Sequence, residues 1–231
     1  MSLRATRSVL ALVAVGIVGL VSAVPALAHR FIVEKKEVAG TEVFKVEGKM
    51  GIENTSGEAS GAIEIESQIP GARVTIVCDA GSLKDEIEKE GLSKGGEITL
   101  ETCVPFQAKE GKGTELSECT VANITIKMSD AIITGAGAEA ELELRPSAGK
   151  LFGEVEINGS SCSIKGKFKL ESATEGKGAI CALVRGEEEA VRKYVVCYPT
   201  GSTELRLGGE KAGLFGAMTM KIETSKQWYM E

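Results

Sequence analysis

Strict alternation of apolar and polar residues dominates the chain. Ala62-Ile63-Glu64-Ile65-Glu66, Gly96-Glu97-Ile98-Thr99-Leu100, Val121 to Met128 and Ala140-Glu141-Leu142-Glu143-Leu144 carry apolar side chains at every second residue. That period suits a strand with one face on a core and the other in water. Arg73 to Cys78 has little charge and reads as a more buried strand, and Ala131 to Ile133, Tyr194 to Cys197, Thr203 to Leu207 and Leu214 to Ile222 add further runs. Phe31-Ile32-Val33 and Val43 to Val46, separated by Gly40, predict a first hairpin. Leu151 to Ile157 and Cys162 to Leu170 predict another about Asn158-Gly159, a dipeptide that accepts positive φ at both turn positions. Between Gly95 and Met128 two alternating runs flank Cys103, a polar Gly/Lys loop and Cys119, which reads as strand, crosslinked loop, strand. Leu83 to Leu92 is the exception: Leu83, Ile87 and Glu90 share a helical face, while Gly91, Gly95 and Gly96 stop it, so a short helix and a charged edge strand both fit. The pattern predicts an all-β fold, with antiparallel strands in one or two face-to-face sandwiches.

Composition sharpens this picture. Gly is 28 of 231 residues while aromatics reach only 4%, so turns are many and the core is built from Val, Ile, Leu and Ala. Arg4 and Arg7 precede an uncharged run from Ser8 to Ala28 that ends in Ala26-Leu27-Ala28, the small-residue pattern of a signal-peptidase site. Residues 1–28 are therefore expected to be a cleaved signal peptide, the rival reading being an uncleaved anchor. Residues 29–231 are expected to form the secreted β-rich domain, undivided or as two halves meeting near 145–150, with no membrane attachment after cleavage. Loss of two arginines moves the formal charge from −6 to −8. An acidic surface argues against a nucleic-acid partner, and the densest basic run, Lys165-Gly166-Lys167-Phe168-Lys169, alternates as the solvent face of a strand does.

All six cysteines, Cys78, Cys103, Cys119, Cys162, Cys181 and Cys197, lie beyond the expected cleavage site. Their smallest spacing, 16 residues, is too wide for the close pairs of a zinc or iron–sulfur site, so three disulfides in an oxidising compartment are expected. Short polar loops close most readily, which favours Cys103–Cys119 and Cys162–Cys181 and leaves Cys78–Cys197. A local echo, Ile76-Val77-Cys78 followed by Gly81-Ser82 against Val195-Val196-Cys197 followed by Gly201-Ser202, fits either two related halves or a recurring strand end.

Candidate chemistry is sparse. His29 is the lone histidine, and the expected cut makes it the first residue, where an α-amine and imidazole could bind copper. A square site needs further strong ligands that the chain does not supply as histidine. A lone terminal histidine also leaves no general base for Ser-His-Asp or Cys-His catalysis, and disulfide-bonded cysteines are not nucleophiles. A hydrolase using a carboxylate pair stays open among 33 acidic residues, although one Trp and three Tyr provide few sugar platforms. Asp79, Asp85 and Glu86 gather near a Gly-Ser turn without the alternating ligand spacing of a calcium loop. Asn54, Asn123 and Asn158 head N-x-Ser/Thr triplets, which matter only in a glycosylating host.

Phe31-Ile32-Val33-Glu34, Val77-Cys78, Glu101-Thr102-Cys103, Glu118-Cys119-Thr120-Val121, Gly159 to Lys167, Val196-Cys197-Tyr198-Pro199-Thr200-Gly201-Ser202, Leu205 to Gly209 and a Trp near the end recur as one arrangement along the chain. In these features the chain resembles a large set of paralogous, secreted, uncharacterised bacterial β-rich proteins. The resemblance implies export and a shared framework; it supplies no activity, cofactor or catalytic residue. The expectation is a non-enzymatic extracellular or cell-surface structural or binding protein. Its partner would be a cell-wall or extracellular protein or polysaccharide, met by loops such as Glu53 to Gly61 and Gln107 to Ser117. Copper binding at His29 and carboxylate hydrolysis are the competing classes.

Overall fold

A computed structural model describes residues 30–53, 59–69, 72–89, 91–109, 112–134, 140–184, 192–198 and 204–230. The expected signal peptide and His29 lie outside the described residues, as does the Asn54 triplet.

The described residues form strands and no helix. In chain order these are β1 (Phe31–Val33), β2 (Lys36–Glu37), β3 (Phe44–Met50), β4 (Ile52–Glu53), β5 (Ala59–Ser60), β6 (Ile63–Ile69), β7 (Ala72–Ile87), β8 (Ser93–Lys109), β9 (Lys112–Glu115) and β10 (Thr120–Val121). Then come β11 (Ile124–Thr134), β12 (Glu141–Pro146), β13 (Leu151–Asn158), β14 (Gly166–Ser172), β15 (Ala179–Val184), β16 (Arg192–Cys197), β17 (Leu205–Leu207), β18 (Glu210–Ile222) and β19 (Trp228–Met230). The all-β expectation holds, but the sandwich gives way to a closed barrel.

Closure follows from the pairing. From β7 the antiparallel neighbours run β8, β11, β12, β15, β16 and β18, and β18 returns to β7 through β3 and β6. β3 and β6 lie end to end in one strand position: Val46 to Met50 face Ile222 to Met218, and Ile63 to Ser67 face Gly216 to Ala212. Residues 51–53 and 59–62 thus leave and rejoin a single barrel strand, closed at the base of this excursion by β4–β5 pairing. The result is an eight-position barrel, a size whose interior is either filled by side chains or holds one small ligand. Among the described residues, one recess of about 10 Å³ lies between Ile63, Ile98, Leu100, Ile126, Leu214 and Met218.

The region read as a helix or edge strand is neither. Phe44 to Lys49 of β3 pair with Ile87 to Ser82 of β7, which pairs with β8 on its other side, so residues 83–87 form a central strand. Leu83, Asp85 and Ile87 are buried while Lys84 faces water; a polar residue on the inner face hid the alternation.

The long β7–β8 pair changes the face that it buries. In β7, Val74, Ile76 and Cys78 are buried before the break, and Leu83, Asp85 and Ile87 after it. Thr102, opposite the break, has a φ of 54°, and one residue in that left-handed conformation re-phases the alternation of β8.

A second sheet leans on the barrel wall. β10, β13, β14 and β17 pair in that order, and a two-residue turn at Gly208-Gly209, both at positive φ, joins β17 to β18. The inner face of this side sheet (Phe152, Val155, Ile157, Leu170, Leu205, Leu207) belongs to the same continuous apolar core as the barrel. Its outer face is a charge lattice in which Glu156 faces Lys167 and Glu154 faces Lys169, so the Lys165–Lys169 run is a strand's solvent face as expected. The β13–β14 hairpin forms as expected, but its connection spans residues 159–165 rather than a tight Asn-Gly turn.

The expected first hairpin is corrected. β1 pairs with β2 and, on its other side, with β19 near the C-terminus, in the register Phe31↔Met230 and Val33↔Trp228. Trp228, 1% exposed, packs against Phe31 at 6.2 Å between ring centroids.

Candidate functional site

All six cysteines are paired, but in none of the combinations expected from loop length. The bonds are Cys78–Cys103, Cys119–Cys162 and Cys181–Cys197. Strand register explains the difference: Cys78 and Cys103 are direct partners across β7–β8, and Cys181 and Cys197 are direct partners across β15–β16. Antiparallel partners without mutual hydrogen bonds approach to about 4.5 Å between Cα atoms, close enough for a crosslink. The separations here are 4.0 and 4.2 Å. Cys119–Cys162 instead joins the approach to β10 with the β13–β14 connection and clamps the edge of the side sheet. Cys103 is mid-strand, and the chain continues through the β8–β9 hairpin before Cys119, so the stretch expected as a variable loop at Gln107 to Ser117 is largely strand. Three disulfides fit an extracellular or otherwise oxidising compartment.

The remaining sequence candidates are not brought together. Asp79 is exposed on β7 and Asp85 is buried on the same strand six positions on. The Asp85 carboxylate accepts a hydrogen bond from the Glu86 N–H at 2.8 Å. Among the described residues no group of three or more His, Cys, Asp or Glu side chains is placed to hold a metal ion. Asn123 and Asn158 are both exposed.

One buried acid is paired. Glu143, 4% exposed on the outward side of β12, accepts hydrogen bonds from Arg145 Nε at 2.8 Å, Arg145 Nη2 at 2.6 Å and the Gly178 N–H at 3.3 Å. Such clasping satisfies a carboxylate where water cannot reach it, and the role is structural.

A polar cleft of about 240 Å³ opens on the outer wall where β3 lies between β7 and β18. Register builds it: Glu47 has Lys84 and Lys221 as its cross-strand partners, and Lys49 has Ser82 and Thr219. Gly48 and Leu83 complete the lining. Lys221 Nζ is 2.9 Å from Glu47 Oε1, and Thr219 Oγ1 donates to the Gly51 carbonyl at 2.8 Å, tying the 51–62 excursion to the rim. Sequence reasoning missed this group because its members come from three distant segments; the alternation Lys45, Glu47, Lys49 was the local signal that β3 has a charged outer face. No family model, curated protein or solved structure matches the chain.

Proposed function

We propose that this chain is an exported, non-enzymatic structural or binding protein of the extracellular space or cell surface, belonging to the paralogous bacterial set that it resembles. The observation that carries the reading is a closed barrel with cross-strand disulfides within its wall and a third disulfide clamping its side sheet. Closure leaves few strand edges exposed, and crosslinks limit unfolding where chaperones are absent, which suits a durable scaffold. On such a scaffold recognition falls to the outer wall and to the excursion whose base is the β4–β5 pair.

The test is capture from culture medium and cell envelope with the oxidised chain beginning at His29. A specific protein or polysaccharide partner supports the reading. Turnover of a hydrolase substrate panel would replace it with an enzyme. Tight copper binding that disappears when one residue is added before His29 would replace it with the metal-binding class.

A further inference from the structure

We propose that the outer wall of the barrel, where β15, β16, β18 and β6 lie side by side, is a docking strip for an extended basic peptide whose arginine seats between Phe215 and Glu64. This deepens the binding-protein reading and rests on it for the presence of a partner. Register builds the strip. Cys181 pairs with Cys197 and Cys197 with Gly216, so the row one residue further holds Ile180, Tyr198 and Phe215, and Phe215 has Glu64 as its partner on β6. A residue before proline stays extended, so Tyr198, which precedes Pro199, keeps this register past the end of β16. Ile180, Tyr198 and Phe215 are 36%, 44% and 40% exposed, three of the six exposed large apolar side chains among the described residues. Single ones are ordinary on a surface, but three at consecutive positions of one row make a patch.

Charge selects the occupant. The row is bounded by Glu143 beside Ile180, already clasped by Arg145, and by Glu64 beside Phe215. Both cross-strand neighbours of Glu64, Phe215 and Val77, are apolar, and it has no cationic partner among the described residues. The next carboxylate along β6, Glu66, is by contrast bridged to Arg73 at 3.7 Å. Asp79, exposed two residues beyond Val77, adds a second negative charge. A purely apolar ligand would strip water from Glu64 without replacing it, and a neutral sugar would leave its charge unmet. A guanidinium answers each feature: it stacks on an aromatic face, forks onto a carboxylate and is drawn to a chain of net charge −6. Gly213 and Ala217, two residues to either side of Phe215 on β18, are too small to cover its ring.

Size argues for a peptide segment over a folded partner. Positions 180, 198, 215 and 64, at the ~5 Å spacing between strands, span about 15 Å. With a width of ~10 Å the strip offers roughly 150 Å², against ~800 Å² per partner in a standard protein–protein interface, so a second copy of the chain would be held too weakly here. An extended peptide crosses 15 Å in about five residues and places alternate side chains ~7 Å apart. An arginine over Phe215 thus sets the apolar side chain two residues away over Ile180 and Tyr198.

The experiment titrates the oxidised chain with a capped leucine-serine-arginine peptide at low ionic strength, followed by amide and aromatic NMR shifts. Saturable shifts centred on residues 64, 180, 198 and 215 are expected, with Kd on the order of 1 mM, appropriate to one exposed cation–π contact and one exposed ion pair. Replacing the peptide's arginine by citrulline, its neutral isostere, should weaken binding about tenfold, Glu64→Gln about fivefold and Phe215→Leu about threefold. Glu154→Gln, on the side sheet opposite Lys169, is the control and should leave Kd unchanged. All three substituted positions are at least partly exposed, so matching thermal unfolding checks that the fold is intact. Equal binding of the citrulline and arginine peptides, a Kd unchanged by Glu64→Gln, or shifts centred elsewhere would overturn the proposal. So would a linear glucose oligomer that binds the strip more tightly than the peptide. An envelope partner captured equally by the native chain and by Glu64→Gln/Phe215→Leu overturns the docking assignment and keeps the binding-protein reading. Saturable peptide binding by a chain that turns over a hydrolase substrate supports the strip and overturns the non-enzymatic reading.

Discussion

Gly153 sets how closely the side sheet sits on the barrel, and Gly153→Ala tests that seating. A Cβ at this position would stand 2.1 Å from the Thr125 carbonyl oxygen of β11, a backbone atom that cannot rotate aside. Ordinary contact begins near 3.4 Å, so β13 would have to withdraw by about 1.3 Å, the difference between the two distances. Six inward side chains ride on the side sheet: Phe152, Val155, Ile157, Leu170, Leu205 and Leu207, each no more than 3% exposed. Full burial of such residues contributes about 1.5–3 kcal/mol apiece, and a gap near 1 Å forfeits a quarter or more of the contact energy. Losing about a quarter over these residues gives roughly 2–4 kcal/mol, in the upper part of the range for overpacked cores and beyond it. Urea unfolding should show a lower midpoint at unchanged slope, with a melting temperature reduced by roughly 6–12 °C. Gly113→Ala is the control, because its Cβ would meet Phe106 at an ordinary 3.6 Å. If the two alanine variants unfold within about 0.5 kcal/mol of each other, the close seating of β13 on β11 is wrong.

Arg145→Leu should cost more than Glu143→Leu in the same unfolding assay. Removing the arginine leaves a carboxylate that is 6% exposed without its counter-ion, ~3–5 kcal/mol, whereas removing the acid frees an arginine side chain that is 33% exposed and can turn to water, ~1–2 kcal/mol. Equal losses would contradict the buried position of Glu143. Thr102→Gly should raise the melting temperature, since a β-branched residue at φ 54° carries ~1–2 kcal/mol of strain against ~0.5–1 kcal/mol of glycine entropy; a lower melting temperature would contradict that strain.

Strand identity was legible wherever one face of a strand met water. Ile63-Glu64-Ile65-Glu66 and Glu141-Leu142-Glu143-Leu144 alternate in sequence, and both are strands with alternate residues buried, apart from the clasped Glu143. Partnership was not legible, because alternation fixes which face of a strand is apolar and says nothing of its neighbour. β3 and β6 occupy one barrel position across an excursion, and β1 finds β19 at the far end of the chain. The cysteine pairing failed for the same reason. Loop-closure entropy ranks crosslinks in an unfolded chain, whereas Cys78 and Cys103 meet because register sets them opposite. Asp85 hid a central strand by placing a carboxylate on the buried face, and Thr102 hid a change of face because a β-branched residue gives no turn signal. The lysine cleft was illegible at any level below register, since Lys49, Lys84 and Lys221 become neighbours only when β3 lies between β7 and β18.

Disulfide connectivity tests the central claim most directly, because a crosslinked, closed barrel made for an oxidising environment requires particular cysteines to be opposite one another. Non-reducing peptide mapping of the protein recovered from outside its producing cells should yield Cys78–Cys103, Cys119–Cys162 and Cys181–Cys197, with no free thiol. Recovery of Cys103 linked to Cys119, or of reduced cysteines in the native protein, would contradict both the barrel register and the scaffold reading built on it.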